Sequence, residues 1–206
     1  MPSQPLATTA VVLDRTSSGD SWLRLACFSR EHGNLACLQR ISARSAGRVT
    51  PVDLFDELQL ELETRNQGRT WFVRDAVAIT RRPALGRSWD ALSFACRFAR
   101  VLSHNDVPDD SRDPVHALLA RALTSWETGV RPDSVYFKTL YLFTRDEGYA
   151  VRESWWRRLP DSDREAVDAV LRETPSAQTT SREDTARLIA ALESFVRHDT
   201  DLRMEE

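Results

Sequence analysis

The stretch that decides the fold covers residues 22–48 and has the sequence WLRLACFSREHGNLACLQRISARSAGR. Its first part alternates apolar and other residues through Leu23-Arg24-Leu25-Ala26-Cys27, which predicts a β-strand with one buried face. The turn Glu31-His32-Gly33 follows, where glycine supplies a positive φ at no steric cost. A second strand and an arginine-spaced loop come next. The stretch therefore predicts a β-hairpin followed by a basic loop.

The strand pattern continues on both sides of this hairpin. We predict five strands, at residues 6–14, 21–29, 33–42, 53–64 and 69–80. Their four gaps contain Gly19, Gly33, Gly47 and Gly68, four of the seven glycines in the chain. Five short strands in about 75 residues are typical of a small barrel of the OB type. An SH3-like barrel has similar statistics, so the sequence leaves that choice open.

The pattern changes after Arg81-Arg82-Pro83, because proline cannot continue a strand ladder and disfavours helix before it. Ser88 is predicted to cap a first helix. Asp113-Pro114 is predicted as the N-cap and first residue of a helix at 114–128, ahead of a polar connector that lacks the spacing of a calcium loop. Further helices are predicted at 134–147, 161–173 and 182–198, the first closed by Gly148 and the last capped by Ser181. We predict an α+β chain with an OB-type barrel domain at 1–82 and an all-helical domain at 83–206.

Composition excludes several classes of function. No apolar run of the 206 residues approaches the roughly 20 that a membrane span requires, and no secretory signal is evident, so we expect a cytoplasmic protein. Cys27, Cys37 and Cys96 are isolated, which predicts reduced core thiols and no zinc or other metal site. Phosphate-cradling glycine loops and catalytic histidine motifs are missing from the sequence. We therefore predict no cofactor and no enzymatic activity.

Residues 30–48 carry four cations against the single anion Glu31, within a chain of formal net charge −3. Such a local excess indicates an anionic partner, and arginine suits phosphate because its guanidinium binds in bidentate fashion. Strand alternation also places Trp22, Arg24 and Phe28 on one face, where an aromatic ring can stack on a base. The predicted nucleic-acid-binding residues are Arg24, Arg30, Arg40, Arg44, Arg48, Trp22 and Phe28. The alternative is that the arginines are ordinary solvated residues.

A second candidate site lies in the helical half. Trp155-Trp156-Arg157-Arg158 combines two aromatic rings with two cations, and Arg152 lies close by in the sequence. Cations would steer an acidic peptide and an apolar pocket would anchor it. The predicted partner-binding residues are Arg152, Trp155, Trp156, Arg157 and Arg158. The alternative is that one of the two tryptophans packs in the core and the other lies at the surface, which is the commoner arrangement of such a pair.

Several motifs, taken in order and spacing over roughly 75 residues, resemble the N-terminal domain of the bacterial recombination mediator RecO. They are Ala10-Val11-Val12-Leu13, Gly19-Asp20, the run from Leu25 to Gly33, the basic loop from Arg40 to Ser45, and Pro51 with Leu54-Phe55. Ser29 stands where that family usually has threonine, and the basic loop is poorer in glycine and charge than usual. The helix at 134–147 with Gly148-Tyr149 is similar to the family's C-terminal domain, and the chain lacks the four cysteines with which many members bind zinc.

The resemblance implies binding of single-stranded DNA, annealing of complementary strands, contact with the acidic tail of single-strand-binding protein, and assistance with RecR in loading RecA. We accordingly expect a nucleoid-associated monomer. The competing hypothesis is a protein-interaction scaffold whose barrel binds DNA weakly or not at all. It is credible because residues 83–206 contain 17 cations and 22 anions, a formal charge of −5.

Overall fold

The strands come first in the chain and the helices follow them. The structure, a computed structural model, describes residues 4–41, 52–64 and 68–204. It is an α+β fold with a five-stranded N-terminal sheet followed by helices, which confirms the predicted class. Two units are distinguished, Met1–Arg82 with Asp106–His116 and Pro83–Asn105 with Ala117–Glu206. The sequence predicts that every residue after 82 belongs to the helical domain, whereas Asp106–His116 groups with the sheet.

Each predicted strand is present, with ends that shift by a few residues. The strands are β1 Gln4–Ser17, β2 Trp22–Ser29, β3 Gly33–Arg40, β4 Glu57–Thr64 and β5 Trp71–Thr80. The largest difference is at β4, which begins at Glu57 instead of residue 53. Before it the chain makes a turn, in which the backbone N–H of Asp53 donates to Asp56 Oδ2 at 3.0 Å and Phe55 has a φ of 65°. A left-handed residue cannot continue a ladder, so the strand starts after it.

The strand order is β1-β2-β3-β5-β4, and β4 also pairs with β1, so the sheet closes on itself. Four of the pairings are antiparallel. The fifth joins β3 to β5 in parallel, with Cys37 opposite Trp71 and Leu38 opposite Phe72. This closure inserts β5 between β3 and β4 and brings the starts of β2 and β5 to the same part of the sheet.

One face of the sheet forms the core of this unit. Alternate β2 residues Leu23, Leu25 and Cys27 point into it, as the sequence pattern predicted. Cys27 and Cys37 are buried free thiols, and the contact with Cys37 together with burial raises the pKa of Cys27. Cys96, predicted as a core residue, is only half-buried. Leucines of β4 and Trp71 of β5 complete the cluster.

The helical part contains the elements that the sequence predicted. They are α1 Trp89–His104, α2 Arg112–Glu127, α3 Pro132–Asp146, α4 Asp161–Arg172 and α5 Arg182–Asp199. Ser88 and Ser181 are confirmed as N-caps, since their hydroxyls accept from Ala91 N and Asp184 N. The predicted start of α2 is wrong by two residues. The helix begins at Arg112, and the Asp113 carboxylate pairs with a side chain of the sheet unit instead of capping the helix.

Helix α3 is the centre of the helical unit, as its all-round apolar sequence predicted. Tyr136, Phe137, Leu140 and Phe143 are buried completely. Gly148 ends it with a φ of 92°. No described helix is both long and apolar enough to cross a membrane. Within residues 4–41, 52–64 and 68–204, no group of three or more His, Cys, Asp or Glu side chains is placed to hold a metal ion.

Candidate functional site

The outer face of the sheet carries an aromatic pair at the open end of the β2–β3 hairpin. Trp22 lies opposite Arg40, and Phe72 lies opposite Leu38 on the neighbouring strand. The rings of Trp22 and Phe72 meet edge to face, with centroids 5.9 Å apart and an interplanar angle of 70°. Both rings are half-buried, so each keeps part of its surface open to solvent. Exposed aromatic rings on a sheet face can stack on nucleic-acid bases.

A groove of about 310 Å³ surrounds this pair. Its lining residues are Trp22, Arg40, Glu63, Phe72, Val73 and Arg74. Two arginines line the groove. Arg74 forms an ion pair with Glu63, whereas Arg40 is not held by that carboxylate. Arg24 is exposed and lies opposite Leu38, one step along the same outer face. The groove thus combines two aromatic rings with a positive border.

The structure brings together three of the predicted nucleic-acid-binding residues, Trp22, Arg24 and Arg40. Phe28 is a correction. Alternation does place it on the outer face, but it is 0% exposed and offers no stacking surface. Its partner on β1, Val11, is also buried. This end of the outer face is covered, and strand alternation determines only which side a residue takes.

Arg30 is the second correction, because it lies at the turn end of the hairpin. Eight residues separate it from Trp22, a distance of about 26 Å along a strand. Its guanidinium binds Asp113 in bidentate fashion, with Nη2 to Oδ2 at 2.7 Å. The hydrogen bond lowers the pKa of Asp113 and raises the pKa of Arg30. Arg30 is therefore engaged in an ion pair and does not border the groove.

Two further predicted residues, Arg44 and Arg48, lie outside the described residues. Phe72 and Arg74 are groove residues that the sequence analysis missed. The signal was the adjacent pair Trp71-Phe72 at the predicted start of a strand. Only the parallel β3–β5 pairing, however, shows that Phe72 lies beside Trp22.

In the helical unit, the prediction that Trp155 belongs to a partner-binding site is wrong. This residue is 5% exposed, its indole N–H donates to Ala191 O at 3.2 Å, and its ring packs against Phe137 and Phe195. It is a core residue and cannot anchor a partner. Trp156 is half-buried, so the alternative of one core and one surface tryptophan is confirmed.

Most cations near Trp156 already have partners. Arg152 lies over the Trp156 ring, 4.6 Å from its centroid, and pairs with Asp168 at 3.2 Å. That hydrogen bond raises the pKa of Arg152. Arg158 pairs with Asp199 at 3.1 Å. Arg157 is exposed and makes no ion pair with any residue that the structure describes. Arg164 also lies over the Trp156 ring, 5.3 Å from its centroid, so little of this ring is left open for a partner.

A better groove lies along α1 in the same unit. It has a volume of about 460 Å³ and is lined by Trp89, Leu92, Ser93, Cys96, Arg97, Arg100, Val101, Tyr136, Glu193, Arg197 and Met204. Trp89 is 80% exposed, the largest exposure among the big apolar side chains that the structure describes. Three arginines and one carboxylate line the groove, so its border is positive. The sequence signal was the stripe Trp89, Leu92 and Cys96 at helical spacing.

The inner wall of this groove is a buried charged network. Glu193 is 6% exposed, and it accepts from the Tyr136 hydroxyl at 2.6 Å and from Arg97 at 2.5 Å. Arg197 approaches its other oxygen at 3.5 Å. Burial, reinforced by the Glu193 carboxylate, raises the pKa of Tyr136 far above its ordinary value. The phenol therefore stays protonated and donates to Glu193.

The chain matches no protein-family model, and no curated protein matches it at the significance applied. The two grooves, one in each unit, are therefore the candidate functional sites.

Proposed function

We propose that this chain is a recombination mediator of the RecO type that binds single-stranded DNA on the outer face of its sheet. The observation that carries the proposal is the edge-to-face pair Trp22–Phe72, bordered by Arg24 and Arg40. Aromatic rings accept any base by stacking, and arginines accept the phosphates between them. An arrangement of this kind binds a single strand without reading its sequence.

The strand connections support an OB-type barrel as the scaffold of this site. In the OB type, five strands form a Greek-key barrel, and the face of strands 2 and 3 takes oligonucleotides. Here the parallel β3–β5 pairing closes the order β1-β2-β3-β5-β4. The aromatic groove is lined by Trp22 of β2 and Arg40 of β3, beside the strand face that binds oligonucleotides in the OB type, and it extends over the start of β5.

For the helical unit we propose docking of the acidic tail of single-strand-binding protein in the groove beside Trp89. The exposed indole of Trp89 and the half-buried side chain of Leu92 would hold an aromatic end group. Arg97, Arg100 and Arg197 would attract acidic residues and a terminal carboxylate. This groove replaces the site predicted around Trp155, whose ring is buried.

Strand annealing, cooperation with RecR and loading of RecA are further parts of the same proposal, and they rest on the resemblance to RecO. A mediator must hold DNA and the proteins coating it at once. Two separate grooves, one for a strand and one for a tail, meet that need. The competing scaffold function predicts that only the second groove binds.

The DNA-binding proposal is tested by the salt dependence of single-strand binding. If Arg24, Arg40, Arg44 and Arg48 each neutralise one phosphate, the slope of log K against log salt is about −3. Replacing Arg24 and Arg40 together by glutamine is expected to reduce that slope by about 1.4, since two contacts are lost. Fluorescence anisotropy with a labelled oligonucleotide at several salt concentrations measures it.

Arg30→Gln is the matched control, because this arginine is held by Asp113 away from the groove. Its slope is expected to equal that of the parent chain. Replacement of Arg44 and Arg48 should reduce the slope by about 1.4 in the same way. A slope that stays the same after replacing Arg24 and Arg40 would favour the scaffold function.

Tail binding is tested with a peptide that ends in acidic residues and a terminal phenylalanine. Trp89→Ala is expected to weaken its binding about thirtyfold or more, because truncating an anchor residue of a binding surface typically costs at least about 2 kcal/mol. Isothermal titration calorimetry gives the affinity. Trp156→Ala removes a tryptophan of the originally predicted site and should change the affinity little. If Trp156→Ala weakened peptide binding more than Trp89→Ala did, the tail-binding site would lie on the surface around Trp156.

A further inference from the structure

The only lysine of the chain, Lys138, lies in a third groove that the proposed function does not use. Lys138 is a half-buried residue of α3 in the helical unit. The groove has a volume of about 280 Å³ and is lined by residues of α2, α3 and the end of α4. A single lysine among 27 arginines is chemically distinct, because an ammonium can lose its proton and become a nucleophile whereas a guanidinium stays charged.

Lys138 lies in a partly buried environment and is positioned by one backbone contact. Its Nζ donates to the backbone carbonyl of Glu173 at 2.9 Å. The Glu173 carboxylate is turned to Thr179, accepting from its backbone N–H at 2.7 Å and its hydroxyl at 2.9 Å. Lys138 forms no ion pair with any described residue. Burial consequently lowers the pKa of this ammonium, with Glu173 opposing the shift in part.

Two arginines line the same groove. Arg121 comes from α2 and Arg172 from the last turn of α4. Together with Glu173 they are the charged side chains that face Lys138 across the groove. Arginine forks bind phosphate oxygens in bidentate fashion, so a small phosphorylated molecule would be held beside the amine.

We propose that Lys138 is an acylation site whose donors are small acyl phosphates held by Arg121 and Arg172. The Nζ lone pair attacks the acyl carbon and forms an amide bond. The bond between that carbon and the phosphate oxygen breaks, inorganic phosphate leaves with the electron pair, and the displaced amine proton goes to solvent. No oxidation or reduction occurs. This inference does not depend on the DNA-binding proposal.

The product can keep the hydrogen bond that positions the amine. An amide nitrogen keeps one N–H, which is enough for the bond to Glu173 O. Acylation removes one of three positive charges from the groove lining. The modification would thus change the charge of this surface while the contact that positions the side chain is retained.

The test exposes the full-length chain to acetyl phosphate and follows acetylation by peptide mass mapping. Arg87→Lys supplies a comparison lysine at an exposed position of the same unit. Lys138 is expected to react several-fold faster than the introduced lysine. Its rate should also reach half of its plateau at a lower pH, because burial lowers its pKa.

Arg121→Gln and Arg172→Gln test the donor site. Each is expected to slow acetylation of Lys138 by acetyl phosphate about two- to fivefold, the effect of one partly exposed charged contact. Acetylation by an uncharged N-hydroxysuccinimide ester should be unchanged in both, and circular dichroism confirms folding. Equal rates for Lys138 and the comparison lysine would overturn the proposal. Arginine variants that react with acetyl phosphate at the parent rate would overturn it as well.

Discussion

Replacement of Trp22 by alanine is expected to weaken binding of single-stranded DNA roughly tenfold to a hundredfold. Stacking of one base on an aromatic ring contributes about 1–3 kcal/mol, and Trp22 is the larger ring of the pair. Phe72→Ala should have an effect of similar size. Because the two centroids are 5.9 Å apart, the double variant is expected to lose less than the sum of the single losses. Anisotropy titrations at one salt concentration measure all three.

Trp22→Phe and Trp89→Ala are the matched controls. Phenylalanine keeps a stacking face and should retain most of the affinity. Trp89 is more exposed than Trp22 but belongs to the helical unit, so its loss should leave DNA binding unchanged while it weakens tail binding. Conversely, Trp22→Ala should bind the tail normally. Parent-like DNA affinity in both Trp22→Ala and Phe72→Ala would show that the aromatic groove is not the DNA site.

The largest effect on stability is expected from Glu193. Glu193→Ala removes the acceptor of the Tyr136 hydroxyl and of Arg97, and the buried Tyr136 hydroxyl then lacks a partner. Loss of one partner of a buried pair costs about 3–5 kcal/mol. Arg97 and Arg197 are partly exposed and can regain water, so we expect the lower part of this range, about 3 kcal/mol. Urea denaturation followed by tryptophan fluorescence gives the change in free energy of unfolding.

Two variants distinguish the stability lost with the charged network from the general effect of a substitution in helix α5. Glu193→Gln keeps an oxygen that accepts from Tyr136 and should lose about half as much stability, about 1.5 kcal/mol. Glu183→Ala removes an exposed carboxylate from the first turn of the same helix, where the loss is about 0.3–1 kcal/mol. If Glu193→Ala were no less stable than Glu183→Ala, the network would not stabilise the unit.

Local patterns predicted most of the elements and part of the site. Alternation in β2 placed Trp22 and Arg24 on the outer face, and Ser88 and Ser181 were found as caps from single positions. These signals are local because side-chain direction and capping depend on a few consecutive residues. Whether an outward-facing residue is covered by other parts of the fold depends on residues far away in the sequence. Phe28 and Trp155 were therefore predicted on surfaces and are buried.

What the sequence by itself determined is the α+β order of elements, the inner face of β2 and the buried centre of α3. Only the tertiary structure decided which surface residues meet. The parallel β3–β5 pairing places Phe72 beside Trp22, although 50 positions separate them in the chain. In the same way, pairing with the distant residue Asp113 engages Arg30, which the sequence pattern assigned to DNA binding. The periods of helices and strands are properties of neighbouring residues, whereas a binding surface is made by long-range pairing that no local pattern encodes.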